Sequence, residues 1–172
     1  RRARCERILS AAEALVREGA STDFSMVTLA ERAEMSQTTP YNLFGSKAGI
    51  LYALLNRSMG ASSARQFLRT GADPVESILR AAEIAADVLA ADPQLYRPLW
   101  RFLLGVRDHV HRPAVLDRAL GWWKVAMEAA ESAGLLADVF DGDELARELV
   151  IHTMGVLDLW VQGELTDDQF RA

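Results

Sequence analysis

Apolar residues recur at three- and four-residue spacing along nearly the whole chain, and β-branched runs are absent. The first stripe, Ile8, Leu9, Ala12, Leu15 and Val16, predicts a helix over 4–19, ended by Gly19. Residues 20–27 read as a loop with Phe24 anchored in the core. Leu29, Ala30 and Ala33 give a second, short helix one apolar face. Thr28 is its expected N-cap, with Glu31 at the capping-box spacing. Met35 falls in a break, Ser36 offers the next cap, and residues 37–44 form a third short helix. Gly45 stops it, because glycine accepts the left-handed conformation a helix end favours. Ser46 then caps a fourth helix, from Lys47 to about Arg69, along the stripe Ile50, Leu51, Leu54, Leu55, Met59, Phe67 and Leu68.

The run Gly71-Ala72-Asp73-Pro74 is the clearest boundary signal. A fifth helix follows over 74–91, with Val75, Ile78, Leu79, Ala82, Ile84, Ala85 and Leu89. Asp92-Pro93 supplies a cap and a proline at the first position of a sixth helix, to about Val106, with Leu95, Leu99, Trp100, Phe102 and Leu103. Pro113 opens a seventh, to about Ala133, with Leu116, Ala119, Leu120, Trp123, Met127 and Ala130. After a loop over 134–142, an eighth covers 143–162, with Leu145, Leu149, Ile151, Met154, Val156, Leu157 and Trp160. Thr166 with Gln169 starts a ninth. The expected fold class is all-α. A three-helix N-terminal head over 1–46 is joined by the long fourth helix to a helical C-terminal domain within 47–172.

Two short helices around a tight break form the helix-turn-helix arrangement, whose second helix enters the DNA major groove. The residues of that second helix suit the task. Gln37, Thr38, Thr39, Tyr41 and Asn42 are polar but uncharged. Gln and Asn bond base edges in two places, and Thr bonds a base or touches a thymine methyl. A helix facing only water carries Glu and Lys more often, so a capped surface helix without a partner is the competing reading. Pro40 lies in the first turn, where its missing N–H costs little; deeper in a helix it would cost about 3 kcal/mol. It stiffens the end that would meet the bases.

The net charge of −5 argues against a DNA binder until it is divided. Residues 1–60 hold eight Lys or Arg and six acids, a net of +2, and the remainder carries −7. The helix-turn-helix therefore lies in the basic part, as phosphate contact requires. Arg1, Arg2 and Arg4 could reach phosphates or a minor groove, or form an exposed basic tail.

One cysteine, Cys5, excludes an internal disulfide framework and a cysteine-rich zinc site, and it is expected to sit inertly on the first helix. His109 and His111 flank Val110 with only Asp108 as a further ligand type nearby, so they are expected to be solvated loop residues rather than a metal site. No Gly-rich phosphate loop, spaced metal ligands or nucleophile with a base supports an enzyme, and no cofactor is expected. No apolar run reaches the ~18 residues of a membrane span, and no secretory signal is present. A cytoplasmic protein with no membrane partner is expected. The chain opens on Arg1-Arg2 without Met and closes in a helical pattern, so both ends are expected to be trimmed.

All four tryptophans lie after residue 95, among Tyr96, Trp100, Phe102, Trp122, Trp123, Phe140 and Trp160. Core packing and a ligand box are both open readings. Trp122 and Trp123 point about 100° apart on a helix, which suggests one facing a pocket and the other a dimer partner. His152 and Asp158 interrupt an apolar eighth helix; they could bond each other, meet a ligand or sit on its outer face. The seventh and eighth helices are apolar on more than one side, which suits a four-helix dimer interface; a monomer that buries both is the alternative.

The first sixty or so residues resemble the TetR family of bacterial transcription repressors. The resemblance rests on Ile8-Leu9 with Ala11-Ala12, Gly19, Thr28-Leu29-Ala30, Ala33, Met35-Ser36, Thr39, Tyr41, Phe44, Ser46-Lys47 and Leu51. Three positions depart from the family's habit: Thr38 stands where Gly is frequent, Pro40 where Leu is frequent, and Gly49 near a position often acidic. Carried over by position, the resemblance implies that Gln37, Thr38 and Pro40 face bases. Thr28, Thr39, Tyr41 and Lys47 would hold phosphates, and Phe44 and Leu29 would be core. Ser36 and Asn42 complete the DNA-binding candidates. It further implies a homodimer on double-stranded palindromic DNA and a C-terminal domain that binds a small-molecule effector and dimerises. Effector occupancy there would shift the fourth helix and re-space the two heads. Trp100, Leu103, Trp123, Met127 and His152 are the candidate effector contacts. The function expected is a ligand-responsive transcriptional regulator, a repressor released by a small hydrophobic effector. A helical interaction module that no longer reads DNA is the alternative.

Overall fold

The computed structural model describes residues 1–58, 73–136 and 140–171. Among these residues there are nine helices and no strand. They are α1 (Arg2–Gly19), α2 (Met26–Arg32), α3 (Thr38–Phe44), α4 (Lys47–Ser58), α5 (Pro74–Ala90), α6 (Pro93–Gly105), α7 (Arg112–Ser132), α8 (Gly142–Gln162) and α9 (Asp167–Arg171). The expected course of α4 to Arg69, with Met59, Phe67 and Leu68, lies outside the described residues, as do Gly71-Ala72, residues 137–139 and the side chains of Val75 and Ile78.

The chain packs as two compact units, Arg1–Ala61 with Asp92–Arg112, and Ser62–Ala91 with Pro113–Ala172. In the first, α1 packs on α2, α4 and α6, and α4 joins α3 to α6. Ile8, Ala12 and Val16 of α1, Leu29 and Ala30 of α2, Ile50, Leu51 and Leu54 of α4 and Leu99 of α6 are fully buried. Each large aliphatic among them contributes about 1.5–3 kcal/mol relative to an exposed position. The expected division falls after Ser46. Packing cuts the chain differently, because α6 returns to the head's own core.

Seven-residue helices are too short to persist alone in water, so α2 and α3 depend on caps and packing. The cap of α2 is not the expected Thr28. Ser25 takes that position, its Oγ accepting from Thr28 N at 3.0 Å. Thr28 lies inside the first turn, and its hydroxyl is 2.8 Å from Ser25 Oγ. The helix starts earlier because Met26 is apolar and buried. α1 ends at Gly19, as expected, and the left-handed residue that follows it is Ala20 (φ 44°). The junction of α3 and α4 follows expectation: Gly45 has φ 75°, and Ser46 Oγ caps Gly49 N at 3.0 Å. A Cβ on Gly49 would overlap the Phe44 carbonyl oxygen and stand 3.1 Å from His111 Cε1. That crowding gives the unusual glycine a physical reason.

His111 is therefore not a solvated loop residue. Its ring is half-buried and stacks on Tyr52 at 5.6 Å, with Nδ1 3.0 Å from Asp108 Oδ2. Burial pushes the Asp108 carboxyl up, but the hydrogen bonds it accepts from His111 and Val110 outweigh this and hold it below the usual carboxylate range.

In the second unit Trp123, Ala126 and Met127 of α7 meet Ala146 of α8, with Ala82, Leu145 and Leu149 around them. Trp122 and Trp123 do not part company as their 100° separation suggested. They meet edge to face at 4.7 Å in the same cluster, with Trp123 buried and Trp122 at its margin. A long indole reaches around the helix, and edge-to-face contact is favourable. Asp141, two residues before the expected start, caps α8 through Asp143 N. Thr166 and Gln169 form the reciprocal cap expected of them at α9. That short helix is held by Trp160, which stacks on Phe170 at 4.6 Å and donates from Nε1 to Asp167.

Ser25→Ala should lower stability by about 1 kcal/mol through loss of the cap. Gly49→Ala, by overpacking, should lower it by about 1–3 kcal/mol even though alanine is the better helix former. Urea unfolding at an unchanged slope checks both; a Gly49→Ala protein as stable as the parent would contradict the crowding at Phe44.

Candidate nucleic-acid interface

The break between α2 and α3 is a Schellman turn built without glycine. Glu34 N donates to Glu31 O and Met35 N to Ala30 O, both at 2.9 Å, with Glu34 left-handed at φ 54°. Such a conformation costs a non-glycine residue roughly 1–2 kcal/mol. Arg7 of α1 offsets it: its Nη2 donates to Ala33 O at 2.6 Å, and to Glu34 O and Glu34 Oε2 at 3.2 Å. No local pattern announces this clamp, because 26 residues separate Arg7 from Ala33.

From this turn α3 presents one polar side. Ser36, Gln37, Thr38, Tyr41 and Asn42 are exposed, and Tyr41 keeps 51% of its surface. Residues 37, 38, 41 and 42 share a face at 100° per residue. The helix begins one residue later than expected, with Gln37 in the capping position. Ser36 ties hydroxyls instead of capping, its Oγ lying 2.7 Å from Thr39 Oγ1. Thr39 is thereby half-buried, whereas Thr28 stands exposed on α2.

Two candidates need correction. Pro40 is in the first turn, as expected, but its ring is fully buried on the inner side of α3 and cannot face bases. Its place opposite Thr38 and Asn42 turns it inward, so it supports the helix from within. Lys47 does not project toward a phosphate. Its Nζ donates to Phe24 O at 2.8 Å and lies 4.6 Å from the Phe24 ring centre and 5.8 Å from that of Phe102. Desolvation holds its pKa below the usual lysine value. The carbonyl and two ring faces reward an ammonium turned inward. Phe24, expected in the core, is half-buried on this lysine.

Other cations of the head are likewise engaged. Arg32 pairs with Glu18, Arg17 with Glu13 and Asp92, and Arg57 with Glu6 and Glu13. Arg1, Arg2 and Arg4 are exposed and make no ion pair among the described residues.

The effector candidates fall in both units. Trp100 and Leu103 are buried on α6 in the first; Trp123 and Met127 are buried on α7 in the second. His152 stands exposed on α8, outside the cluster that holds Trp123 and Met127, and is not brought together with them. Trp100 is 5% exposed, yet its Nε1 has no hydrogen-bond partner among the described residues. Among the described residues no helix is long and apolar enough to cross a membrane, and no group of three or more His, Cys, Asp or Glu is gathered to hold a metal.

No protein-family model matches the chain. It is 32% identical over 128 residues to the HTH-type transcriptional activator FasR of Mycolicibacterium smegmatis, a match covering 73% of this chain and 54% of that protein. The chain thus spans about half the length of the curated relative it matches. Its fold is similar to that of NalD, the secondary repressor of the MexAB-OprM multidrug efflux pump in Pseudomonas aeruginosa. The TM-score is 0.72 at 18% identity, covering 99% of this chain and 90% of that one. It is also similar to Thermus thermophilus FadR, a TetR-family transcriptional repressor in complex with lauroyl-CoA. Here the TM-score is 0.71 at 23% identity, covering 91% of this chain and 82% of that one. These proteins are transcriptional regulators, not enzymes. The all-helical fold of the chain is that of TetR-family transcriptional regulators such as FadR, the family its first sixty residues resemble.

Proposed function

We propose that the protein is a cytoplasmic transcriptional regulator that binds a palindromic DNA operator as a homodimer and is released from it by a small hydrophobic effector. The observation that carries this reading is the exposed uncharged face of Gln37, Thr38, Tyr41 and Asn42 on a clamped helix-turn-helix. Gln37, Thr38 and Asn42 read base edges. Ser36, Thr28 and Tyr41, with Arg1, Arg2 and Arg4, take phosphates. Residues 1–46 do the reading, and 47–172 supply effector binding and dimerisation. Repression rather than activation is the direction proposed, as in NalD and FadR.

The effector reading draws on two facts. FadR holds lauroyl-CoA, and Trp100 carries a buried donor without a partner among the described residues. An unsatisfied buried donor costs about 1–3 kcal/mol. A ligand that is apolar in the main but offers one acceptor to Trp100 Nε1 recovers that cost, with Leu103 beside it on α6. Trp123 and Met127 remain candidates from the second unit. A helical interaction module without DNA binding is the competing reading, and it predicts no preference among DNA sequences.

A duplex selected from random DNA should bind with an affinity that falls steeply with salt. Gln37→Ala with Tyr41→Ala should weaken that binding by on the order of 10²-fold, at about 1–3 kcal/mol for each bidentate base contact and less for a phosphate, while leaving the urea midpoint unchanged. Lys47→Met should do the reverse. It removes the donor to Phe24 O and lowers stability by on the order of 1 kcal/mol, but leaves the salt slope of binding unaltered. Fluorescence anisotropy and urea titration separate the two; a slope reduced by Lys47→Met would return that lysine to the phosphates.

A further inference from the structure

The stretch that enters the groove in the proposed regulator carries no charge. From Met35 to Ser46 there is no Lys, Arg, Asp or Glu. The charged residues that bound it are both engaged. Glu34 Oε2 accepts from Arg7 Nη2 at 3.2 Å, and Lys47 is turned inward onto the Phe24 carbonyl. Arg32, on α2, is paired with Glu18. Guanine is read bidentately by Arg or Lys, and the cytosine amino group by a carboxylate. The exposed side of α3 offers neither. What it offers is two amides and a methyl. Gln37 stands at the helix start without capping it, and Asn42 lies about a turn and a half further on. Both are exposed, and among the described residues neither amide has a hydrogen-bond partner. A carboxamide sets a donor beside an acceptor, the pattern that meets adenine N7 and N6 together. Thr38 differs. Its Oγ1 lies 3.3 Å from Ser36 Oγ, so the hydroxyl is committed locally and the methyl is the group it has left for a base.

We propose that the half-site read by α3 is a core of A·T pairs: Gln37 and Asn42 each hold an adenine through N6 and N7, and Thr38 packs its methyl on a thymine. Five residues of helix rise about 7.5 Å, which is about two base-pair steps of roughly 3.4 Å. The two adenines therefore stand about two steps apart, with the thymine beside the one that Gln37 holds. All three contacts lie in the major groove, where A·T and T·A differ. Cations contribute nothing to this choice of bases. Arg1, Arg2 and Arg4 stand at the start of α1, not on α3, and phosphate contact carries no sequence information. This inference rests on the DNA-reading helix of the proposed function and names the bases that it reads.

Base analogues placed in the duplex selected from random DNA test the assignment, with binding read by fluorescence anisotropy. Inosine·cytosine in place of an A·T pair gives the major groove the face of G·C and keeps the minor groove of A·T. Diaminopurine·thymine does the opposite. At each of the two adenines, inosine·cytosine should weaken binding about tenfold, and diaminopurine·thymine less than about threefold. Uracil in place of the thymine removes only the methyl and should weaken binding roughly threefold. In Gln37→Ala the inosine penalty should vanish at one adenine and stay at the other, and Asn42→Ala should do the converse. Both side chains are exposed, so these variants should keep the urea midpoint of the parent. A half-site fixed by G·C pairs, diaminopurine as harmful as inosine, or inosine penalties that both variants retain overturns the base assignment and leaves the regulator standing. Binding without any sequence preference overturns both.

Discussion

Two seven-residue helices cannot hold their shape in water, and the part of this protein that would meet DNA is made of them. What holds them is a pair of cations set on backbone carbonyls at their ends. Arg7 of α1 reaches the carbonyls of Ala33 and Glu34, where α2 stops and the turn begins. Lys47, at the start of α4, reaches the Phe24 carbonyl, just before α2 starts. Carbonyls at the C-terminal end of a helix lack partners within it, and the Phe24 carbonyl lies outside any helix. A charged donor satisfies either more strongly than a neutral one. The clamp at Ala33 also secures a left-handed Glu34 that would otherwise favour another conformation.

This use of charge changes the meaning of a basic head. The net of +2 over residues 1–60 reads as a phosphate-binding surface. Most of those cations are committed inside the head, to carbonyls and to Glu13, Glu18 and Glu34. In the proposed regulator the long-range attraction to DNA therefore falls to Arg1, Arg2 and Arg4. The face of α3 contributes hydrogen bonding without charge. Neutral groups supply little affinity of their own but much discrimination, since phosphate contacts position and base contacts specify.

The same economy governs α6. It follows α5 in the chain but packs with α1 and α4, and its Phe102 ring stands near the Lys47 ammonium. Beyond it, the turn at Asp108 and His111 leans on Tyr52 and Gly49 at the beginning of α4. Whatever displaces α6 or that turn thus acts directly on residues that seat α3. In the second unit the burial is more conventional, with α7 and α8 sharing an apolar cluster and Trp160 fastening α9.

Much of this was open to reading from the residues in order. Apart from the end of α4, periodicity located the described helices to within a few residues, because a 3.6-residue stripe is a local property. Gly45, Ser46 and the Thr166–Gln169 pair act where their spacing placed them, because caps join residues three apart. Spacing misplaced the start of α2, whose expected cap was Thr28; the burial of Met26 carries the helix back and leaves Ser25 as its cap. The roles of Lys47, Pro40 and His111 lay beyond any local pattern. Each is decided by groups distant in sequence: the Phe24 carbonyl with the Phe102 ring, the inner side of α3, and the Tyr52 ring with the Gly49 backbone. A cation's partner and a ring's neighbours depend on which chain segments meet. That is a matter of packing, and no spacing along the chain encodes it.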